Sequence, residues 1–406
     1  DSSTSRGLGD VYKRQVLLVV ATYGRQRRLE PDHDLASNAQ ARAAQQIVDR
    51  LSSRPEQGTQ PARAARRCIE TLPVPDSPDR FTPAFGLGNP HLQTLWGPLW
   101  RPTTHLERQR ERLWLDDGDF LDLDWHGPHS ADAPLVLVLH GLTGSSNSPY
   151  VAGLQQALAT RGWASAALNW RGCSGEPNLL PRSYHSGASE DLAAAIAHLR
   201  AKRPQAPLYA VGYSLGGNVL LKYLGESGSD SPLQGATAVS VPFRLDQCAD
   251  RIGQGFSKVY QAHFMREMLA YIKDKQRQFQ HDGRHEGLAT LAQLGPLTKM
   301  RTFWDFDGRV TAPLHGFADA QDYYRRASSR YFLGQIRTPT LIIQAADDPF
   351  VFRHSLPEAS ELSASTQFEL QAKGGHVGFV DGSLKHPGYY LERRIPQWLA
   401  GLDRHG

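Results

Sequence analysis

Gly212-Tyr213-Ser214-Leu215-Gly216 is the segment of this 406-residue chain whose residue types and spacing are best suited to covalent chemistry. A serine flanked by small residues two before and two after it can sit on a strained turn between a strand and a helix. The helix N-terminus then brings free N–H groups and a positive dipole end beside the hydroxyl. The plain alternative is a serine capping a helix in a Gly-rich turn. Context favours the nucleophile, because an apolar run at 208–212 precedes the motif and a helical pattern at 216–225 follows it.

A serine hydroxyl needs a base, and the base needs an orienting acid, in the chain order Ser, acid, His for this kind of turn. The apolar run Thr340 to Gln344 leads into Ala345-Ala346-Asp347-Asp348-Pro349-Phe350, an acidic loop at the carboxyl end of an expected strand. Asp348 is preferred over Asp347, with both retained as candidates. Among sixteen histidines, His376 in Gly374-Gly375-His376-Val377-Gly378 is best placed, on a glycine-rich loop after the last expected strand. The second oxyanion donor is expected in the loop after the most apolar strand, Leu139-His140-Gly141-Leu142-Thr143-Gly144. Leu142 N–H and Leu215 N–H are therefore the candidate oxyanion pair. That loop lacks the spacing of a P-loop or a dinucleotide fingerprint, and no zinc-type ligand spacing occurs, so neither cofactor nor metal is expected.

These residues require a scaffold of alternating strands and helices. Leu113 to Leu115 and Phe120 to Trp125 predict a hairpin across Asp116-Asp117-Gly118. The run Leu135 to Leu139 predicts a strand covered on both faces. Helices at 150–160, 188–202 and 216–225 alternate with strands at 164–168, 208–212 and 236–240, the rhythm of βαβ units and a mostly parallel sheet. Pro242 interrupts it, and amphipathic stretches at 255–282 and 286–298 predict a helical cap inserted at about 243–335. Phe256, Tyr260, Phe264 and Met265 recur there at helical spacing and either shape an acyl pocket or form the cap's own core. A strand near Phe368 to Leu370 and a helix near Tyr389 to Leu402 complete the domain, which spans 80–402. Near its start, Asn89 to Trp96 and Trp100 read as aromatics set between helix-breaking prolines.

Forty per cent hydrophobic and 21% charged residues are ordinary for a globular protein. Lys and Arg exceed Asp and Glu by four, and the basic clusters at Arg25 to Arg28 and Arg63 to Arg67 lie outside the domain, so no nucleic-acid role is expected. Three scattered cysteines, Cys68, Cys173 and Cys248, suggest no disulfide framework and fit a cytoplasmic setting. The first of three methionines is Met265, and Asp10 to Gln15 is what GAT GTG TAT AAG AGA CAG encodes, so residues 1–15 read as a sequencing scar. Residues 16–79 read as a disordered or spurious tail, with a propensity-based helix at 35–51. The apolar run Val16 to Ala21 is far short of the ~20 residues that span a bilayer. A shortened signal peptide or anchor is the alternative for it, which leaves membrane association open.

Several motifs taken together carry a resemblance. Asn89-Pro-His-Leu-Gln-Thr94, His140-Gly-Leu-Thr-Gly144, Asn169-Trp-Arg-Gly-Cys-Ser-Gly175 and Gly212-Tyr-Ser-Leu-Gly-Gly-Asn218 resemble the YheT-like branch of the α/β-hydrolase superfamily. So do Thr302-Phe-Trp-Asp-Phe-Asp307, Ala346-Asp-Asp-Pro-Phe350 and Gly374-Gly-His-Val-Gly-Phe379. The resemblance covers about residues 80–402. It implies the α/β-hydrolase fold with a helical cap and a serine hydrolase acting on carboxylic esters, with Ser214, Asp348 and His376 as triad. The expected partner is a small-molecule ester or lipid. An acyltransferase on the same machinery, or a binding protein on the same fold, are the alternatives.

Overall fold

The computed structural model describes residues 80–102 and 104–402. The apolar run at 16–21, the helix expected at 35–51 and Cys68 lie outside the described residues. Eight strands form one sheet: β1 (Gln109–Trp114), β2 (Phe120–His126), β3 (Leu135–Leu139), β4 (Ala164–Asn169), β5 (Leu208–Tyr213), β6 (Gly235–Val239), β7 (Thr340–Ala345) and β8 (Thr366–Gln371). Their order across the sheet is β1-β2-β4-β3-β5-β6-β7-β8. The β1–β2 and β2–β4 pairs are antiparallel and every later pair is parallel. Strand order reverses around β3, and the carboxyl ends of β3 and β5 lie side by side there, with Leu139 opposite Gly212. An open sheet places its ligand crevice at such a reversal.

The unbroken apolar run of β3 follows from its two covered faces. Leu135, Leu137 and Leu139 pack with Leu192, Ile196 and Leu220 from α3 (Ser189–Lys202) and α4 (Leu215–Ser227). Val136 and Val138, pointing the other way, pack with Leu154, Leu158 and Ile395 from α2 (Pro149–Thr160) and α9 (Tyr390–Leu402). A period of two therefore divides one strand between two cores.

Between β6 and β7 the chain leaves the sheet and builds a helical insertion from α5 (Leu245–Ile252), α6 (Lys258–His281), α7 (His285–Ala292) and α8 (Ala320–Ala327). It has a core of its own, in which Met265, Ile272 and Phe279 of α6 meet Leu291 and Met300. The second expected cap helix ends at Ala292 rather than 298, and Gly295 beyond it adopts a left-handed φ of 71°. Lys275 fastens α6 to the body of the fold. Its buried ammonium donates to Asn178 Oδ1 at 2.6 Å, Leu180 O at 2.9 Å and Arg182 O at 3.0 Å.

The segment expected to be broken by prolines is instead a helix, α1 (Pro90–Trp100). Asn89 Oδ1 caps it by accepting from His91 N–H at 2.9 Å, and Pro90 occupies the first turn, where no N–H partner is needed. Pro98 lies near its end. A short hairpin of β9 (Val380–Gly382) and β10 (Pro387–Tyr389), not anticipated from the sequence, packs beside it. Among the described residues, no helix is long and apolar enough to cross a membrane.

Candidate active site

Ser214 lies between β5 and α4 with φ at 52°, a left-handed conformation that a non-glycine residue adopts only when its surroundings hold it there. The flanking glycines explain how. A Cβ on Gly212 would come within 2.5 Å of Gly216 O, and one on Gly216 within 2.7 Å of both Leu139 O and His140 O. The backbone of the turn is thus packed directly onto the end of β3. Ser214 N–H donates to Val239 O at 2.8 Å, so it takes no part in oxyanion binding. No described residue accepts a hydrogen bond from Leu215 N–H or from Leu142 N–H.

The loop carrying Leu142 is held from three sides. Gly141 N–H donates to Tyr150 Oη at 3.0 Å, and Thr143 N–H, in a residue with φ at 54°, donates to Tyr184 Oη at 2.9 Å. His140 is fully buried beneath it. Trp170 N–H donates to His140 Nε2 at 3.3 Å, which places the ring proton on Nδ1, 2.7 Å from Gly141 O. Burial lowers the His140 pKa to about 4, so the ring is neutral and works as a brace for the loop. Gly141 itself approaches closely, since a Cβ there would lie 3.1 Å from the Ser214 Cβ.

His376 stands on the loop between β8 and β9. Its Nε2 is 2.9 Å from Ser214 Oγ and its Nδ1 is 2.8 Å from Asp348 Oδ2. Asp348 also accepts from Phe350 N–H at 2.8 Å on Oδ1 and from Gln344 Nε2 at 3.2 Å on Oδ2. Its neighbour Asp347 turns elsewhere. Asp347 Oδ1 accepts from Gly375 N–H at 3.0 Å, and burial raises the pKa of its carboxyl above the ordinary value. Of the two acids weighed on sequence, Asp348 therefore contacts the imidazole and Asp347 holds the loop that carries it.

Two supports of that loop were not singled out from the sequence. Thr94 Oγ1 on α1 accepts from His376 N–H at 2.9 Å, and Ser240 Oγ, after β6, accepts from Val377 N–H at 3.0 Å. Thr94 belongs to the Asn89-to-Thr94 motif, which gave a signal without a role. Gln93 of the same motif bonds Val380 in both directions, Nε2 to Val380 O at 3.0 Å and Val380 N–H to Oε1 at 2.8 Å.

Ser214, Leu215, Leu142 and His376 open into a cavity of about 790 Å³ roofed by the helical insertion. Tyr260 and Phe264 line it, whereas Met265 turns into the insertion's own core, and Phe256 packs against the ring of His91. The residues at helical spacing thus divide between pocket and core. Among the described residues, no cluster of His, Cys, Asp or Glu is arranged to hold a metal ion. Burial pushes the Cys173 thiol up to about 12 and the Cys248 thiol higher still, which keeps both protonated and unreactive.

The profile of the α/β hydrolase fold matches residues 134–383. YheT of Escherichia coli, named as a candidate esterase, is 42% identical over 322 residues, covering 79% of this chain and 93% of that one. Phospholipase ABHD3 of Mus musculus is 30% identical over 322 residues, 77% of this chain and 76% of its own. Monoacylglycerol lipase of Saccharomyces cerevisiae is 29% identical over 255 residues, 62% and 56% of the two chains.

Proposed function

The chain belongs to the α/β-hydrolase fold family, and on that premise we propose that it is a serine hydrolase that cleaves carboxylic esters of small molecules or lipids. One observation carries this reading: the hydrogen-bonded run from Ser214 Oγ through His376 to Asp348 ends at the floor of a cavity. Ser214 Oγ attacks the ester carbonyl while His376 Nε2 takes its proton. Asp348 fixes the imidazole with Nδ1–H directed at the carboxylate and stabilises the imidazolium that forms. The carbonyl oxygen, now an oxyanion, is received by Leu142 N–H and Leu215 N–H, two preorganised donors that need no reorientation. Collapse expels the alcohol with the proton from His376. Water then releases the acid from the acyl-enzyme by the same steps, with His376 again as base.

A cavity of about 790 Å³ is of the size that encloses a small ligand, which suits short- to medium-chain acyl groups. The test is hydrolysis of p-nitrophenyl esters of increasing acyl length by the protein and by its Ser214→Ala variant. Turnover by the protein is expected to fall at least ~10³-fold in the variant. Equal rates in both would refute Ser214 as nucleophile, and no cleavage of any ester by either would refute the ester-hydrolase reading.

A further inference from the structure

The cavity wall is not apolar throughout. His185, Asp307, Thr311, Tyr323 and Tyr324 all line it, and the ester chemistry above uses none of them. Asp307, on a π turn of the insertion (Asp307–Thr311), keeps only 8% of its surface exposed. It accepts from Thr311 Oγ1 and from Tyr324 Oη, both at 2.6 Å. A carboxylate offers about four acceptor positions, so two hydroxyl donors leave about half of its capacity unused. Burial raises its pKa to about 6, which leaves it mostly ionised above neutral pH.

His185 provides the opposite polarity. Gly187 N–H donates to its Nδ1 at 3.1 Å, which puts the ring proton on Nε2. The Glu190 carboxylate stands 3.9 Å from Nε2, beyond hydrogen-bonding reach, and no described residue accepts from that nitrogen. Burial and the neighbouring His315 keep the ring neutral. Neighbouring residues of α8 hold the two groups: the Tyr323 ring centroid is 5.7 Å from that of His185, and Tyr324 bonds Asp307. Hydrogen bonds tie the arrangement to α4, the helix that Ser214 precedes. Tyr323 Oη accepts from Ser186 N–H at 2.8 Å, and Ser186 O accepts at 2.7 Å from Asn218 Nδ2, one turn along α4 from Ser214.

We propose that Asp307 and His185 form a subsite for a hydroxyl-bearing alcohol portion of the ester, Asp307 accepting from a hydroxyl and His185 Nε2–H donating to one. This rests on the ester-hydrolase reading above and adds the class of leaving group. A trimethylammonium group has no N–H to give Asp307 and no lone pair for His185, so the hydrogen-bonding pair favours a polyol over choline.

Three octanoate esters with one acyl chain test this: 1-glyceryl, methyl and choline. The protein is expected to favour the glyceryl ester over the other two by roughly tenfold or more in kcat/KM, and Asp307→Asn to remove most of that preference while methyl octanoate changes by less than about twofold. Tyr324→Phe, which releases one bond to the carboxyl without removing it, is expected to change the glyceryl ester more than the other two, because it acts through Asp307. Equal losses on all three esters in Asp307→Asn, or no glyceryl preference in the unaltered protein, each overturn the subsite. The last comparison decides the matter even where a variant does not fold. Cleavage of methyl octanoate without any preference leaves the ester-hydrolase reading standing and removes only the subsite. Failure to cleave any of the three while p-nitrophenyl esters are cleaved removes the subsite alone, and failure on every ester of both series removes both.

Discussion

Thr94 and His376, 282 residues apart, are joined by a hydrogen bond of 2.9 Å from the His376 backbone N–H to the Thr94 hydroxyl. The same hydroxyl donates to Pro90 O at 2.7 Å, so helix α1 splints the loop that carries the base. Thr94 touches no reacting atom and acts by position. Thr94→Val removes the acceptor at nearly constant shape, and a misplaced base slows proton transfer more than it weakens binding. Steady-state kinetics should show kcat reduced by about ten- to a hundredfold with KM little changed, and Thr94→Ser should restore it. Failure of serine to rescue would assign the effect to packing of the threonine methyl.

Asp347 and Asp348 are adjacent, chemically identical and opposite in orientation. Asp348→Asn removes the charge that favours the imidazolium and puts the wrong hydrogen-bonding group against Nδ1, for which a loss of about 10³–10⁴ in kcat is expected. Asp347→Asn still offers a carbonyl oxygen to Gly375 N–H, and a change of less than about threefold is expected. The reverse ranking in measured kcat would transfer the orienting role to Asp347.

What could be read from sequence followed from how local each constraint is. The elbow around Ser214 was legible because strand, small residues and helix are all contained within about a dozen consecutive positions. Helix α1 is hard to read because Pro90 and Pro98 resemble breakers, although Asn89 followed by proline at the first helical position is a start signal. Helices α5 and α8 were missed for a different reason. Each is eight residues long, and Leu245 and Ala249 of the first are buried against Tyr323 and Tyr324 of the second, a pairing that no window along the chain contains. Thr94 and Ser240 belong with these, since their partners on the His376 loop are brought to them only by the completed sheet.

Glycine at 216 has a steric reason that glycine at 401 lacks. An alanine Cβ at 216 would meet two backbone carbonyls at 2.7 Å, neither of which can move without displacing β3. Urea unfolding of Gly216→Ala should show a loss of about 3 kcal/mol or more, if the variant accumulates at all. In α9, Gly401 has nothing within 4 Å of its would-be Cβ. Gly401→Ala should therefore stabilise the fold, by up to about 1 kcal/mol through helix propensity. Two losses of similar size would mean that the close approach at 216 is not what fixes the turn.

Acid should destabilise this fold well before its ion pairs are protonated. Burial lowers His91 and His140 to about 4 and His315 to about 3, and holds His185 well below its ordinary value of 6.5. Between about pH 6.5 and pH 4 the unfolded chain therefore binds protons that the folded chain refuses. Stability then rises with pH and falls on acidification, by up to about 1.4 kcal/mol per pH unit for each such histidine. Asp307, raised to about 6, and Asp347 and Glu392, also raised by burial, work in the opposite sense, because they take up protons in the folded state first. The histidines exceed them in number and in the width of their window. A net loss on the order of 1–2 kcal/mol per pH unit is expected in urea unfolding between pH 6.5 and pH 5. Flat or rising stability over that interval would mean that these rings are charged in the folded state. For His140 that would be incompatible with accepting the Trp170 N–H, and the brace beneath the Leu142 loop would have to be drawn differently.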